Sequence, residues 1–273
     1  MNLIKNIIRF YINSSLHVAI SVCSLCYITS ATYDLEIQYN FYLFIFLSTI
    51  LGYNFIKYFG VFKFHYRSLT NKFKEIQALS ILSLIFIVFL FKDLSYQVKI
   101  IVFFLGVITF FYEIPFEKIT SLRKIKGIKI YIISFVWAIT TVVLPLIESK
   151  SIFSIEFLFF LLERFLFVFV LILPFEIRDL DFDDLSLHTI PQRIGLSKTK
   201  YFGFICLILI GTLVIIVQKS ILQIKLITII ILFLTSVFLL RSNTKRSLFF
   251  TAFWVEGIPI FWAIMLFMSS ILF

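Results

Sequence analysis

Residues 155 to 175 read IEFLFFLLERFLFVFVLILPF, a run in which only Glu156, Glu163 and Arg164 are charged. The hydrocarbon core of a bilayer is about 30 Å thick, and a helix needs roughly 20 mostly apolar residues to cross it. The run has this length and lacks the alternation of apolar and polar residues that marks a half-buried strand. Because backbone polar groups in hydrocarbon must be paired within the segment, the stretch predicts a transmembrane helix.

Apolar runs of similar length recur along the whole chain. Of its 273 residues, 61% are hydrophobic, 19% aromatic and only 15% charged, whereas a soluble domain carries roughly 25% charged residues. No linker rich in Pro, Gly or Ser divides the runs, so we predict a single domain over residues 1–273. Its fold class is all-α, a polytopic membrane bundle of about nine helices: 14–32, 41–59, 76–91, 98–111, 128–147, 155–175, 201–217, 221–240 and 248–268.

The basic residues are distributed unevenly between the two sides of this bundle. If the amino terminus is cytoplasmic, 19 of the 25 Lys and Arg residues fall in cytoplasmic segments, as the positive-inside rule requires. We therefore predict an integral membrane protein with its amino terminus and long polar loops in the cytoplasm, in the inner membrane if the source is bacterial. The net charge of +10 is explained by loops that face anionic lipid, so nucleic acid is not an expected partner.

Two features near the amino terminus have alternative interpretations. Lys5 and Arg9 precede the first apolar run, as in a signal peptide, but eight further spans make that role unnecessary. Cys23 and Cys26 form a C-x-x-C pattern inside the first span, with no second pair to complete a metal site. We interpret them, and the isolated Cys206, as small apolar helix residues. His17 is expected to make a hydrogen-bonded helix contact.

Charged residues inside the predicted spans are a further feature. Glu163, Arg164 and Glu256 lie where an unpaired charge costs at least a few kcal/mol, so each should be paired or face a wet cavity. We expect a carboxylate partner for Arg164, with Glu256 as the candidate. A transport or proton-relay role for these residues is the alternative.

The strongest chemical signal is PFEIRDLDFDDLSLHTIPQRIG, residues 174 to 195, which concentrates five of the fifteen acidic residues within nine positions. If the helix continues past Pro174, Glu176, Asp179 and Asp183 share one face at i, i+3 and i+7, while Asp181 points away. Converging carboxylates repel one another unless cations neutralise them, and Mg²⁺ bound through one or two carboxylates plus substrate phosphates is a common partner. A solvated acidic loop is the alternative.

This segment resembles the second aspartate-rich motif of the UbiA-type intramembrane prenyltransferases, N-D-x-x-D-x-x-x-D followed by a Gly, T-L-P and L-G. Three carboxylates fall on its acidic positions: Glu176, Asp179 and Asp183. The trailing positions are matched by Thr189, Pro191 and Gly195. Phe175 replaces the Asn, and Leu187 or His188 stands where the Gly is expected. Nine helices and an inside amino terminus also match that family.

The resemblance implies a fold like that of all-helical isoprenoid synthases and a polyprenyl diphosphate as substrate. Such proteins bind the diphosphate through Mg²⁺, ionise it to an allylic cation, and pass the chain to an aromatic or other lipophilic acceptor. It further implies Glu176, Asp179 and Asp183 as metal ligands, with Asp179 and Asp183 as the catalytic pair. The metal offsets the charge of the departing diphosphate, and a dry cavity protects the cation from water.

The first motif of that family, N-x-x-x-D-x-x-x-D, should fall on LGYNFIKYFGVFKFHYRS, residues 51 to 68. Asn54 fits its opening, but Tyr58 and Phe62 occupy the two Asp positions. Basic side chains here and in the loop after the fourth span can neutralise phosphate directly, unless they only enforce topology and touch lipid headgroups. The predicted diphosphate-binding residues are Asn54, Lys57, Tyr58, Lys63, Arg67, Tyr112, Lys118, Arg123, Lys126 and Arg178.

Three functions are compatible with these patterns. The first is a UbiA-type protein that binds a polyprenyl diphosphate and transfers the prenyl group. The second is a degenerate member that binds lipid or diphosphate without turnover, because half of the expected metal site is missing. The third is a small transporter that uses Glu163, Arg164 and Glu256. Membrane lipid is an expected partner in each case.

Overall fold

The structure, a computed structural model, describes residues 2–64, 71–115, 121–152 and 154–272. Within these ranges there is no strand, and nine helical stretches are long and apolar enough to cross a bilayer. They cover Leu16–Tyr33, Tyr39–Phe59, Phe73–Leu90, Tyr96–Glu113, Lys129–Glu148, Ile155–Asp179, Leu196–Ile216, Leu222–Arg241 and Phe250–Ile271. The predicted all-α membrane bundle of nine spans is confirmed.

The chain forms twelve α-helices within the described ranges. In order they are α1 Asn2–Asn13, α2 Leu16–Tyr33, α3 Tyr39–Phe64, α4 Asn71–Leu90, α5 Tyr96–Glu113, α6 Lys129–Ala138, α7 Leu144–Glu148, α8 Ile155–Asp179, α9 Ile190–Ile194, α10 Leu196–Ile216, α11 Leu222–Arg241 and α12 Ile258–Leu272. A π-helical turn, Ile139–Val143, joins α6 to α7 as the fifth span. A second π-helical turn, Phe250–Val255, begins the ninth span.

Two helices form the centre of the bundle. The first span, α2, packs against α3 and α12, and the sixth span, α8, packs against α6, α10 and α11. The third span is peripheral and exposes apolar side chains such as Leu82, Phe86 and Phe89, as expected for a surface that faces lipid tails. The loop after α8, the amino-terminal helix α1 and the starts of α4 and the ninth span all lie at the end of the bundle where α3 and α8 finish, which we call the site end.

Close helix packing depends on a small residue in α10. A Cβ atom added to Gly203 would lie 2.9 Å from a methyl group of Leu173 in α8 and 2.6 Å from one of Leu239 in α11. Small residues commonly let membrane helices approach in this way, because packing rather than exclusion from water drives their association. Gly203 thus brings α10 against the helix that carries the acidic motif.

Polar side chains of the first span satisfy the backbone of the two π-helical turns. Thr29 donates a hydrogen bond to the carbonyl of Thr141 at 2.6 Å, and Ser21 donates to the carbonyl of Glu256 at 2.6 Å. A π turn disrupts the regular i to i−4 ladder, and the displaced carbonyls have no water to bond in hydrocarbon. The hydroxyls of α2 therefore compensate for distortions that are placed next to the site.

The two cysteines and the histidine of the first span behave as expected from the sequence. Cys23 and Cys26 are free thiols, and Cys26 is fully buried. His17 is also buried and makes two hydrogen bonds, with the Tyr11 hydroxyl at 3.0 Å and the Phe253 carbonyl at 2.9 Å. The predictions of apolar cysteines and of a structural histidine contact are confirmed.

Candidate functional site

The acidic motif lies at the end of α8, which passes through Pro174 and continues to Asp179. Glu176 is only 1% exposed, and its Oε2 accepts a hydrogen bond from the backbone N–H of Ile190 at 3.3 Å. A buried carboxylate requires hydrogen bonds or a positive partner. Glu176 therefore ties the end of α8 to the start of α9 and has little accessible surface for a ligand.

Asp179 is held by the arginine that precedes it. The Nε and Nη2 atoms of Arg178 lie 2.6 and 2.7 Å from the two carboxylate oxygens of Asp179. Arg178 also donates from Nη1 to the hydroxyl of Thr251 in the ninth span. Such two-point pairs are among the strongest charge-assisted hydrogen bonds in proteins. The pair leaves both oxygens of Asp179 engaged and links α8 to the ninth span.

Asp183 lies in the turn after α8, where its backbone N–H bonds to the carbonyl of Asp179 at 2.8 Å. Its Oδ2 atom is buried without a hydrogen-bond partner, and the ammonium of Lys129 in α6 is 3.9 Å from it. This distance allows charge attraction but exceeds that of a hydrogen bond. Asp183 thus has one carboxylate oxygen available to a ligand, beside the lysine that begins α6.

The rest of the acidic loop is fixed by local hydrogen bonds. Thr189 and Gln192 form a capping box at the start of α9, and Gln192 also donates to the carbonyls of Asp183 and Asp184. The carboxylate of Asp184 accepts from the backbone N–H of Ser186 at 2.8 Å, and this bond holds the pKa of Asp184 below its ordinary value. The loop is therefore a folded element that presents Asp183.

The basic loop before α6 packs against this acidic loop. The N–H of Gly127 donates to the carbonyl of Leu187 at 2.8 Å. Gly127 has φ +71°, a left-handed conformation that side chains disfavour, and an added Cβ would contact the His188 carbonyl at 3.4 Å. Gly127 thus allows the two loops of opposite charge to meet.

On the opposite wall, the first-motif positions of α3 bind the amino-terminal helix. Lys57 donates to the carbonyl of Ile12 at 3.3 Å and to the Ser15 hydroxyl at 3.0 Å, while the Tyr58 hydroxyl donates to the carbonyl of Asn13 at 2.8 Å. Asn54, which is 2% exposed, accepts from Ser15 at 2.8 Å. The last carbonyls of a helix need such donors. The segment of α3 in which the resemblance implies metal-binding carboxylates thus holds α1 in place.

Glu256 follows the π-helical turn of the ninth span. It interacts electrostatically with Lys57 on α3 and with Arg178 on α8. It also acts on Tyr11 of α1, and burial together with the charge of Glu256 raises the pKa of that phenol. Lys57 is exposed and Glu256 partly exposed, so both can contact a ligand that enters from the site end. These residues form the polar centre of the site.

Aromatic side chains border this polar centre. The Tyr53 hydroxyl accepts a hydrogen bond from the indole N–H of Trp137 at 2.7 Å, and Tyr53 interacts with Glu256 and Tyr112. Tyr112 is 4% exposed and lies within electrostatic reach of Glu176, Asp183 and Arg123. Tyr112 of the fourth span therefore lies near the acidic motif, and Tyr53 of the second span lies near Tyr112 and Glu256.

The other predicted binding residues are peripheral or undescribed. Arg123 pairs with Glu113 at 3.2 Å and Lys126 is exposed. The side chains of Lys63, Arg67 and Lys118 lie outside the described residues, as does His65. Sequence reasoning missed the site roles of Thr251 and Ser15, whereas Lys129 belongs to the basic segment after the fourth span that was already expected to face a phosphate. The isolated charge of Glu256 inside a span was the available sequence signal that the ninth span contributes to the site.

The expected pair between Arg164 and Glu256 is not formed, and this prediction is wrong. Arg164 is 1% exposed and donates to the carbonyl of Leu25 at 2.9 Å, with Phe160 and Trp262 against its guanidinium at 5.3 and 5.7 Å from the ring centres. The adjacent Glu163 supplies a nearby charge. Backbone and ring contacts replace the expected ion pair because Glu256 is turned toward the site end.

The three carboxylates of the acidic motif differ in how well they could bind Mg²⁺. Among the described residues, no three His, Cys, Asp or Glu side chains are grouped as a metal site. Mg²⁺ is commonly held by one or two carboxylates together with substrate phosphates. The unpartnered Oδ2 of Asp183 fits that pattern if a diphosphate supplies further ligands. Asp179 can join only when Arg178 turns away from it, and Glu176 is the least accessible of the three.

Comparison with known proteins identifies the fold. No protein-family model matches the sequence, and no curated protein matches it. The apo structure of a UbiA homologue from Aeropyrum pernix K1 is similar, with 11% identity, a TM-score of 0.65, and coverage of 93% of this chain and 98% of that one. A UbiA homologue from Archaeoglobus fulgidus, bound to GPP and Mg²⁺, gives 14% identity, a TM-score of 0.64, and coverage of 95% and 98%.

A third similar structure is described as digeranylgeranylglyceryl phosphate synthase in membranes. It shares 15% identity with this chain at a TM-score of 0.57, and the match covers 98% of each chain. Identities this low establish the fold and not the activity. The chain therefore has the fold of the UbiA homologues over nearly its whole length, and the resemblance found at residues 174–195 is confirmed at the level of the fold.

Proposed function

We propose that this protein is a UbiA-type prenyltransferase that binds a polyprenyl diphosphate at the site end and transfers its prenyl group to a lipophilic acceptor. The observation that carries the proposal is the unpartnered carboxylate oxygen of Asp183, which lies 3.9 Å from the ammonium of Lys129 on α6 and one turn beyond Arg178 of α8. Two cations from separate spans thus converge at the mouth of an apolar bundle. A diphosphate with a long apolar chain has the matching distribution of charge and hydrophobicity.

The diphosphate is bound by cations on both walls. Lys57 supplies an exposed ammonium from α3, and Arg178 supplies a guanidinium suited to two-point phosphate contact. Lys129 stands near Asp183 on the same side as Arg178. When a phosphate takes the place of Asp179 as the partner of Arg178, the carboxylate of Asp179 is released toward the ligand.

The aromatic residues have a role after the diphosphate departs. An allylic cation is attracted to the face of an aromatic ring, and each such contact is worth about 0.5 to 2 kcal/mol. Tyr53 is held by Trp137 and Tyr112 is buried, so both rings have fixed positions beside the charged groups. Tyr58 stands closer to the mouth, where its hydroxyl is bound to α1. Apolar side chains exclude water from the path of the cation.

Asp183 is the residue that would hold a Mg²⁺ ion. A Mg²⁺ ion held by Asp183 and the diphosphate would offset the charge that develops on the leaving group. The Archaeoglobus fulgidus homologue, which is bound to GPP and Mg²⁺, supports a metal at a site of this fold. The chain has no carboxylate between Glu36 and Glu75, so the wall formed by α3 contributes Lys57 where a second metal ligand set is otherwise expected.

The second candidate is a protein that binds the diphosphate without turnover, and the anchoring of α1 by Asn54, Lys57 and Tyr58 favours it. The two candidates separate in one experiment. Purified protein in nanodiscs is incubated with radiolabelled geranyl, farnesyl and geranylgeranyl diphosphate, with Mg²⁺ or with a chelator. Bound label and released diphosphate are measured in the presence of lipophilic acceptors.

Saturable binding with Mg²⁺-dependent release of diphosphate and a labelled lipophilic product identifies a transferase. Saturable binding without product identifies the non-catalytic protein. The absence of binding for all three chain lengths overturns both. Asp183→Asn is the test variant, because an amide is a poorer Mg²⁺ ligand than a carboxylate. Asp181→Asn is its matched control, since that exposed carboxylate lies in the same loop.

A further inference from the structure

The amino-terminal helix α1 has a polar and an apolar face. Lys5 and Arg9 are exposed, one turn apart, while Ile4 and Ile7 are 68% and 59% exposed on the other side of the helix. Such a distribution is typical of helices that lie in the plane of a membrane interface, with cations near headgroups and apolar residues near acyl chains. The described residues thus leave more than half of each isoleucine side chain uncovered.

The carboxyl end of α1 is fixed to the bundle. Lys57 and Tyr58 bind the carbonyls of Ile12 and Asn13, as described above. The chain then turns at Ser15, whose φ of +65° is left-handed. The helix is therefore held at one end and leans across the site end of the bundle.

A large groove separates the body of α1 from the bundle. It has a volume of about 1370 Å³ and lies between α1, the start of α4 and the start of the ninth span. Its wall is mainly apolar and includes Ile4, Ile8, Ile76, Leu248 and Phe249. Binding sites for drug-sized molecules measure roughly 300 to 1,000 Å³. The groove can thus hold a larger apolar ligand.

Charged residues occur on its lining as well. Lys5 and Arg9 stand on α1, and Glu75 stands at the start of α4. Two cations and one carboxylate give the groove a net positive charge, which favours an anionic headgroup. The arrangement pairs an apolar wall with a cationic rim. That combination matches a phospholipid of the leaflet in which the helix lies.

We propose that this groove binds one anionic phospholipid, whose phosphate is held by Lys5 and Arg9 and whose acyl chains lie against Ile8, Ile76 and Phe249. The lipid fills the space beneath α1 and covers its apolar face. A polyprenyl diphosphate is a poorer occupant, because Lys57, Arg178 and Asp183 do not line the groove. The lipid site and the diphosphate site are therefore separate.

The test uses delipidated full-length protein in neutral detergent, titrated with phosphatidylglycerol or with phosphatidylcholine of the same acyl chains. Native mass spectrometry counts the bound lipids. One phosphatidylglycerol should bind in preference to phosphatidylcholine. Lys5→Gln combined with Arg9→Gln should weaken its binding by about thirtyfold, since each cation near an anionic headgroup contributes about a fivefold effect.

The matched control is Lys124→Gln combined with Lys198→Gln, which removes two exposed cations outside the groove lining and should leave lipid binding unchanged. Ala252→Phe, which fills the groove from the ninth span, should reduce binding of both lipids. Thermal unfolding verifies that each variant is folded. Equal binding of the two lipids, or equal loss in the test and control variants, would overturn the proposal. Displacement of the lipid by geranyl diphosphate would overturn it too, while leaving the diphosphate proposal intact.

Discussion

Arg178 and Asp179 form a two-point ion pair at the last turn of α8, with nitrogen to oxygen distances of 2.6 and 2.7 Å. Neighbouring residues within a helix normally point about 100° apart, and these meet because Asp179 is the final helical residue. The charge of Asp179 is thus neutralised by the neighbouring arginine of the same motif. A ligand that replaces Asp179 as the partner of Arg178 gains a guanidinium contact and simultaneously exposes a carboxylate.

Replacing Arg178 should weaken diphosphate binding and strengthen metal binding. Arg178→Gln is expected to weaken geranyl diphosphate binding by about tenfold to a hundredfold, the value of a charge-assisted hydrogen bond. It should strengthen binding of Mg²⁺ or Mn²⁺ without diphosphate, because Asp179 is no longer paired. Calorimetry measures both affinities. Arg193→Gln, at an exposed position of α9, is the control, and an unchanged metal affinity in Arg178→Gln would refute the exchange.

The anchoring of α1 can be tested at Ser15. Ser15→Ala removes the donor to Asn54 and the acceptor for Lys57, which leaves a buried amide oxygen without a partner. We expect a loss of about 1 to 3 kcal/mol in the free energy of unfolding. Ser236→Ala, on the exposed side of α11, should cost little.

Because Ser15 has a positive φ, alanine also adds backbone strain there. Ser15→Gly removes the hydroxyl without that strain, and thermal unfolding of all three variants in detergent separates the two effects. If Ser15→Gly is as stable as the wild type, the hydrogen bonds around Ser15 do not hold α1.

Arg164 and Glu256 belong to different clusters, so their substitutions should act independently. Arg164→Met and Glu256→Gln are expected to be additive within about 0.5 kcal/mol in unfolding free energy, as for sites without shared partners. Glu163→Gln should instead couple to Arg164→Met, because the two charges are adjacent. The measurement is a pair of double-mutant cycles followed by thermal unfolding. Coupling above about 1 kcal/mol between Arg164 and Glu256 would contradict the structure.

The orientation of the bundle is a prediction of the loop charges. With nine spans and a cytoplasmic amino terminus, Phe273 lies on the opposite side of the membrane. A reporter that is active only in the cytoplasm, fused after Phe273, should be silent, whereas fusion after Lys198 should give activity. Activity of the fusion after Phe273 would show that the orientation or the span count is wrong.

The spans and the acidic motif can be predicted from sequence because both are local. A run such as residues 155–175 specifies a membrane helix by length and hydropathy alone, and Glu176, Asp179 and Asp183 are brought together by helical spacing and one further turn. The partners of Glu256 cannot be predicted in this way. They depend on how far the ninth span is shifted by its π-helical turn and on which face of α3 meets it, and both are set by tertiary packing.

The role of the first-motif positions is equally non-local. In the sequence, Tyr58 and Phe62 are rings where carboxylates are expected and Lys57 is a cation beside them, which indicates a lost metal site. The structure adds that Lys57 and Tyr58 bind carbonyls of α1, a helix more than 40 residues away in the chain. Backbone carbonyls carry no sequence signal, so these contacts were not predictable.

The proposed function requires that a prenyl diphosphate be held between Lys57 on α3 and Asp183 beyond α8. The most direct test is calorimetric titration of geranyl diphosphate into wild type, Lys57→Gln and Asp183→Asn, each with Mg²⁺ and with a chelator. Wild type should bind one ligand, and more tightly with Mg²⁺. Asp183→Asn should lose the response to Mg²⁺, whereas Lys57→Gln should bind about tenfold to a hundredfold more weakly and keep that response. If wild type binds no geranyl diphosphate under either condition, the proposed function is wrong and the acidic loop has no part in diphosphate binding.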